Sequence, residues 1–234
     1  TEKYTRVEVA LRKAVEKKKE LEKQAEKEAG DALVKIDEAL EAARKAKPAT
    51  KSEGGYHSGM SAKPDALKWV QVDLGREVEI AKVAFAGCYD DFNQIGAGFG
   101  FPERYRMEAS NDPAFKEGVV LIVDRSREEQ KNPGTALQSH SAKGVKGRYV
   151  RFTATRLAHR KGDYMFALSE MQVWDAAGVN VALGAAVTSL DSIETGARWT
   201  RKKLTDGAYP GKEDAETKVA VLEQRRKELL RTAP

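Results

Sequence analysis

Apolar residues near the start of the chain recur every three or four positions, which is the spacing of one helix face. From Tyr4 to about Lys47 there is no proline and one glycine, and the abundance of Ala, Glu, Lys and Leu is typical of a long exposed helix. The pattern changes phase near Gly30, which predicts either a turn, and hence a helical hairpin, or a stutter in one continuous helix. The two apolar sets are Val7, Leu11, Ala14, Leu21 and Ala25, then Leu33, Ile36, Leu40 and Ala43.

A second, shorter helix is predicted at the C-terminus by the same spacing, at Val219, Leu222, Arg226 and Leu229. Such a short helix with few apolar residues is marginal alone in water, so we expect it to pack antiparallel against the N-terminal helix. Residues 1–48 and 212–234 are therefore predicted to form a helical coiled-coil stalk. The stalk either binds a partner as a coiled coil or stays intramolecular, and we prefer the second interpretation.

Between the helices the pattern changes to short strand-like runs separated by Gly, Pro, Asn and Asp. Lys47-Pro48 ends the first helix, and Gly54-Gly55 opens a loop. No helix-length amphipathic segment interrupts the runs, so residues 49–211 are predicted to form an antiparallel β-sandwich or barrel in a mainly β protein. The predicted strands are Lys68–Leu74, Ile80–Gly87, Tyr105–Ser110, Val119–Asp124, Gly147–Thr155 and Ala167–Asp175.

Charge and cysteine content exclude several classes of function. The 41 Lys and Arg residues stand against 36 Asp and Glu residues, and both signs are dispersed, so nucleic-acid binding is disfavoured. A single cysteine, Cys88, excludes an internal disulfide and a cysteine-rich metal site. No apolar run approaches the roughly 20 residues that span a bilayer. The first residues also lack the pattern of a secretory signal, so we expect that any such signal was removed or belongs to a longer parent chain.

Four segments resemble, in the same order, the discoidin family, also called coagulation factor V/VIII type C domains. The most specific segment, Lys68 to Gly75, is similar to the family's strand of the type W-x-Q-V-D-L-G. The others are Phe101–Asp112, Gly147–Phe152 and Leu168–Trp174. The resemblance implies a galactose-binding-like jelly roll, a fold that includes many bacterial carbohydrate-binding modules.

A fifth segment, Asn180 to Thr188, with Trp199 and Asp206-Gly207 after it, resembles the family's N-terminal start, although here it comes last. Either the domain is circularly permuted or a second module is truncated. We prefer permutation, with the sandwich inserted in a helical hairpin. Permuted discoidin segments of this kind resemble those in large secreted bacterial proteins, so the expected location is extracellular or periplasmic.

The resemblance also implies a structural calcium ion. Family members commonly hold calcium with the aspartate of the D-G loop and the glutamate of the final strand, and Asp206 and Glu170 match those positions. Calcium takes six to eight oxygen ligands. The alternative for Asp206 is an ordinary turn before glycine.

Ligand sites in this family lie on loops at one end of the sandwich, where an aromatic ring stacks on a sugar and polar groups bind its hydroxyls. Phe99 and Phe101 are expected to anchor the first loop in the core instead. The candidate ligand-binding residues are Asp90, Asp91, Phe92 and Asn93 in the first loop, Arg160 and Tyr164 in the second, Tyr56 and His57 before the first strand, and Trp199 in the late segment.

No catalytic motif accompanies these loops. Asp90 and Asp91 are adjacent and would point to opposite faces of a strand, which disfavours joint acid and base work. The histidines lack metal-ligand spacing, and no G-x-S-x-G nucleophile motif occurs. The sequence therefore predicts a non-catalytic module that binds a glycan or polysaccharide; the alternative is a structural spacer or protein-docking domain in a multidomain protein.

Overall fold

The structure, a computed structural model, describes residues 2–45, 53–212 and 215–232. These residues divide into two compact units, one with the two helices and one with all the strands. None of the described helices has the length and apolarity to cross a bilayer. The predicted helix end at Lys47-Pro48 lies outside the described residues.

The helical unit contains α1 (Glu2–Lys45) and α2 (Ala215–Thr232). α1 is one continuous helix through Gly30, so the hairpin alternative is wrong and the change of phase is a stutter. A single glycine costs a helix only about 1 kcal/mol, which the strong helix formers on either side offset.

The two helices pack antiparallel, as predicted. Arg226 Nε donates to Asp37 Oδ1 at 2.7 Å, and Arg44 Nη2 donates to Glu223 Oε1 at 2.8 Å. Between these two pairs the residue number rises along α1 and falls along α2, so the helices run antiparallel. Leu40, one turn from both α1 partners, is buried. The second of the two apolar sets predicted on α1 therefore packs, whereas Leu21 of the first set is exposed.

Within the described residues, the second unit contains twelve strands. Two of them, β2 and β7, have 19 residues each and form the middle of the main sheet. The strands are β1 (Tyr56–His57), β2 (Lys68–Ala86), β3 (Cys88–Asp90), β4 (Gly96–Phe99), β5 (Arg104–Ser110), β6 (Val120–Arg125), β7 (Gln138–Arg156), β8 (Ala158–His159), β9 (Tyr164–Met165), β10 (Ala167–Leu168), β11 (Glu170–Asp175) and β12 (Ala186–Ser189). The 3-10 segment Phe92–Gln94 lies between β3 and β4, and the segment Arg201–Thr205 follows β12.

The main sheet is antiparallel, with the order β11-β2-β7-β5-β6 and with β12 also paired to β2. Two predicted strands, Lys68–Leu74 and Ile80–Gly87, are one strand, because β2 continues through a register shift between Asp73 and Val78. The predicted single strand Ala167–Asp175 is instead two strands, since Ser169 separates β10 from β11.

The late segment lies in the sandwich, as predicted. β12 pairs antiparallel with β2, with Ala186 opposite Asp73 and Ser189 opposite Val70. β11 pairs with the other half of β2, where Met171 lies opposite Phe85. β11 and β12 therefore pair with two successive parts of the same edge of β2. The last strand in the sequence, β12, completes the sheet beside β2.

Short strand pairs, β1-β10, β3-β4 and β8-β9, accompany the main sheet. Tyr56 and Leu168, from the β1-β10 pair, belong to the same buried cluster as Phe85 and Phe152 of the long strands. The Phe85 and Phe152 rings meet edge to face at 5.1 Å. Full burial of each such side chain stabilises the fold by about 1.5–3 kcal/mol. The result is a mainly β, sandwich-like domain, as predicted.

Candidate functional site

Three loops that are far apart in the sequence meet beside the β3-β4 hairpin. Asn93 Nδ2, at the hairpin tip, donates to the carbonyl oxygen of Arg160 at 2.9 Å and so joins the first loop to the β8-β9 loop. Arg198 Nη2 donates to the carbonyl oxygen of Tyr89 at 2.9 Å and joins the late segment to the same hairpin. The prediction that these loops lie together is therefore confirmed by direct contacts.

The hairpin tip has an unusual backbone. Asn93 and Gln94 have φ values of 53° and 61°, in the left-handed region that asparagine tolerates better than most residues. The Asp90 carboxylate accepts a hydrogen bond from the Phe92 N–H at 2.8 Å and fixes the start of the turn. The turn holds Phe92 at the surface, where 43% of the residue is exposed.

Phe92 is supported from the second loop by Arg160. The Arg160 guanidinium lies 4.9 Å from the Phe92 ring centre, within the range of a cation–π contact. Asp163 accepts two hydrogen bonds from Arg160, at 2.9 and 2.6 Å. The hydrogen-bonded guanidinium holds the pKa of Asp163 below its usual value. Arg160 is thus fixed in place by its fork of hydrogen bonds.

Trp199 forms a second aromatic surface. It is half-buried and its ring lies 5.0 Å from the His57 ring and 5.8 Å from the Phe99 ring. His57 is 4% exposed, so it supports Trp199 from below rather than facing solvent. Phe99 is buried too, which confirms that it anchors the loop.

Charged residues of two loops affect the pKa of His57. Burial lowers the pKa of His57 below its usual value, and its hydrogen bond to the Ser58 carbonyl opposes that shift. Arg160 lowers this pKa further, while Asp90 and Asp163 raise it. Charges from the first and second loops therefore act on one imidazole in β1.

Arg198 is a site residue that the sequence analysis missed. Its guanidinium lies 3.4 Å from Asp90 Oδ2 and 5.5 Å from the Trp199 ring centre. Gly54 permits this arrangement, since a Cβ there would lie 2.0 Å from the Arg198 carbonyl oxygen. Arg198 could have been predicted from its position next to Trp199, because the acidic first loop needs a positively charged partner.

The remaining predicted residues differ in their placement. Tyr164 is partly exposed and meets the His159 ring edge-on at 5.5 Å. Asp91 is exposed and hydrogen-bonds with Tyr89, which raises the pKa of that phenol. Since Asp90 pairs with Arg198 instead, the two adjacent carboxylates have separate partners and do not form an acid pair.

Tyr56 is a correction. Its side chain is completely buried and its ring contacts Phe166 edge-on at 5.3 Å. Because β1 alternates its side chains across the strand pair, Tyr56 points into the core while His57 points toward Trp199. The prediction that Tyr56 lies at the ligand surface was wrong.

The two predicted calcium ligands lie at one turn. Glu170 is fully buried, and its Oε2 accepts from the N–H of Gly207 at 3.2 Å while its Oε1 accepts from Gln172 Nε2 at 3.3 Å. The pKa of Glu170 is raised to about 8, chiefly by burial and also by the nearby Asp206, against the opposing effect of its hydrogen bonds from Gln172 and Gly207. Asp206 Oδ1 accepts from the N–H of Ala208 at 2.9 Å.

These contacts do not fit a calcium ion as the turn stands. Calcium needs six to eight oxygen ligands, and the carboxylate oxygens named above already accept hydrogen bonds from N–H groups. Within residues 2–45, 53–212 and 215–232, no three or more His, Cys, Asp or Glu side chains are grouped to hold a metal ion. Calcium at this turn therefore stays a prediction that the local chemistry opposes.

The fold and the loop contacts define a β-sandwich domain whose end carries two aromatic rings among carboxylate, amide and guanidinium groups. The family model for the F5/8 type C domain matches residues 36–169, more than half of the chain. The chain belongs to the F5/8 type C, or discoidin, family. The match ends before β11 and β12, the strands that complete the sheet at its late end.

Solved structures similar to this chain include bacterial modules at low identity. Chitosan-binding module 1 of a chitosanase/glucanase from Paenibacillus sp. IK-5 is 17% identical, with a TM-score of 0.36 over 49% of this chain and 74% of that chain. CBM32-3 from a family 31 glycoside hydrolase of Clostridium perfringens is 15% identical, with a TM-score of 0.39 over 53% of this chain and 77% of that chain. The comparison with curated proteins found no match.

Proposed function

We propose that this chain is a non-catalytic carbohydrate-binding module that holds a larger secreted bacterial protein to a polysaccharide. The observation that carries the proposal is the pair of accessible aromatic rings, Phe92 and Trp199, set among fixed hydrogen-bonding groups from three loops. Aromatic faces bind the apolar side of a sugar ring, while oriented polar groups bind its hydroxyls. An extracellular or periplasmic location belongs to the same proposal and rests on the family resemblance.

The polar groups around the rings suit a neutral sugar. Arg160 is neutralised by Asp163, and Arg198 lies within 3.4 Å of Asp90. Each guanidinium keeps N–H groups for further hydrogen bonds, since it has five donors. The paired charges leave little net charge at the surface, so the binding energy comes from stacking and hydrogen bonds rather than from attraction to an anionic polymer.

Affinity electrophoresis against a panel of neutral and acidic polysaccharides tests the proposal. We expect the wild-type chain to be retarded by at least one neutral polymer, and Trp199→Ala to abolish the retardation. Leu121→Ala is the matched control, because Leu121 is 51% exposed on the edge strand β6. If Trp199→Ala and Leu121→Ala are both retarded as strongly as the wild type, the binding site does not lie in these loops.

A second candidate function, a spacer or protein-docking element, is favoured by the length of α1. α1 has 44 residues and α2 has 18, so α2 can cover less than half of it. Val15 and Leu21 of α1 are 49% and 57% exposed. Replacing Asp91 and Phe92 together with alanine separates the two functions, because polysaccharide binding is lost under the first and partner docking through the helices survives under the second.

A further inference from the structure

Two lysines share the turn that contains the buried Glu170 carboxylate. Lys212 Nζ donates to the carbonyl oxygen of Gly207 at 2.6 Å. The N–H of the same Gly207 donates to Glu170, so one peptide unit connects the ammonium to the carboxylate. Lys203 Nζ lies 3.9 Å from Asp206 Oδ2. The turn thus contains two acids and two ammonium groups rather than two acids alone.

The neighbouring carbonyl groups are also occupied by donors from the protein. Thr205 O accepts from the N–H of Gly184 at 2.7 Å, and Ala185 O accepts from Thr205 Oγ1 at 2.9 Å. These bonds join the 3-10 segment to the turn that leads into β12. With Gly207 O bound to Lys212, these three carbonyl oxygens each accept from an N–H or O–H group of the protein.

A buried carboxylate needs a nearby positive charge or several donors, because desolvation of an isolated charge costs far more than a folded domain can supply. Glu170 is 0% exposed at the start of β11. The ammonium nearest to it through the Gly207 peptide is that of Lys212. Its four-carbon stem lets a residue at the end of the turn reach back by five positions to the carbonyl.

We propose that the Lys212 ammonium is the resident cation of this turn and takes the structural place of a bound calcium ion. It closes the loop between the 3-10 segment and the end of the sandwich through the Gly207 carbonyl oxygen, and the N–H of the same glycine donates to the buried Glu170. The consequence is a discoidin domain whose stability does not depend on a divalent metal. This differs from the calcium site that the family resemblance implied at Asp206 and Glu170.

Thermal unfolding monitored by tryptophan fluorescence tests the proposal on the full chain. Trp69, Trp174 and Trp199 are the three tryptophans, and all belong to the strand-containing unit, so the signal reports on that unit. We expect the wild-type midpoint to be the same in millimolar calcium and in excess EDTA. Titration calorimetry with calcium chloride should show no binding heat.

Substitutions at the lysine supply the positive test. Lys212→Met keeps the length of the side chain and removes its charge, and should lower the midpoint by about 3–10 °C, the loss of one charged hydrogen bond in a domain of this size. Calcium should restore part of that loss, because the substitution frees the Gly207 carbonyl oxygen and removes the positive charge from the turn. Lys212→Arg should retain most of the stability. Lys202→Met is the control, since Lys202 is exposed in the same segment.

Two outcomes would overturn the proposal. One is a wild-type midpoint that rises with calcium and not with magnesium, which would show a calcium site that Lys212 does not replace. The other is a Lys212→Met variant as stable as Lys202→Met, which would show that the ammonium contributes nothing to the turn.

Discussion

Phe92→Ala is the substitution that examines the site most closely, because Phe92 is the most exposed aromatic ring of the three loops. It removes a ring that is 43% exposed and leaves its hydrogen-bonded turn, through Asp90 and the Phe92 N–H, able to form. The variant should therefore fold, and the change should be confined to the surface that a sugar would contact.

The magnitude follows from the exposed fraction. Full burial of a phenylalanine side chain is worth about 1.5–3 kcal/mol, and 43% of the residue is available to a ligand. Stacking by a sugar ring would then contribute about 0.6–1.3 kcal/mol. The Kd for the polysaccharide fragment should rise about 3- to 9-fold.

Isothermal titration calorimetry with an oligosaccharide of the bound polymer measures the change. Leu121→Ala, on β6, is the control and should leave Kd unchanged, although it removes a side chain of similar exposure. A Phe92→Ala variant with wild-type affinity and an unchanged circular dichroism spectrum would refute the assignment of the hairpin tip to the site.

Three further predictions concern stability. Burial lowers the pKa of His57 below its ordinary value of 6.5. At higher pH the imidazole is neutral in the folded and the unfolded chain, so it contributes no pH dependence there. As the pH falls from 6.5 toward the lower folded pKa, the unfolded chain takes up the proton first and stability is lost. Unfolding midpoints should therefore fall more steeply over that interval for the wild type than for His57→Gln, and parallel curves would contradict it. Leu40→Ala, which truncates a buried side chain of α1, should cost the helical unit about 2–5 kcal/mol and lower its far-ultraviolet circular dichroism midpoint, whereas Leu21→Ala at an exposed position should not; equal effects would place the packing face elsewhere. Gly98→Ala should destabilise the first loop by about 1–3 kcal/mol, because Gly98 has a φ of +77° and a Cβ would lie 1.8 Å from Asn132 Oδ1; a chemical denaturation midpoint equal to that of the wild type would show that the loop relaxes freely.

The sequence predicted the main sheet because its signals are local. Trp69 to Leu74 and Tyr149 to Phe152 alternate apolar and polar residues, and the structure pairs these runs directly, with Val70 opposite Phe152. Alternation of this kind predicts a strand whatever the order in which the strands pair. The late segment was placed correctly for a different reason, since only its resemblance to the family's first strand suggested that it joins the sheet.

The parts that the sequence could not predict depend on long-range pairing. β7 begins at Gln138, nine residues before the predicted start at Gly147, because its first half pairs with the second half of β2 across two register shifts. A glycine and charged residues interrupt the alternation there, so no local pattern announced the pairing. The continuity of α1 through Gly30 was equally open, because a stutter and a turn give the same apolar spacing.

Residue-level errors at the site have the same origin. Tyr56 and His57 are adjacent on a two-residue strand, and only the pairing with β10 decides which of them faces the core. Arg198 enters the site through a bridge between Gly55 and Trp199 that joins two ends of the domain. The spacing of residues does not reveal such contacts between sequence-distant segments, and for Arg198 the only signal was its position next to Trp199.

The central claim, that a carbohydrate binds where the three loops meet, is tested most directly by a titration followed by nuclear magnetic resonance. The three tryptophan indole N–H groups give separate probes, two of them in the main sheet at Trp69 and Trp174 and one at the loops at Trp199. The account predicts that an oligosaccharide of the bound polymer shifts the Trp199 indole and the Asn93 side-chain amide, with Trp69 and Trp174 unmoved. Saturating shifts at Trp69 or Trp174, with Trp199 and Asn93 unchanged, would contradict it.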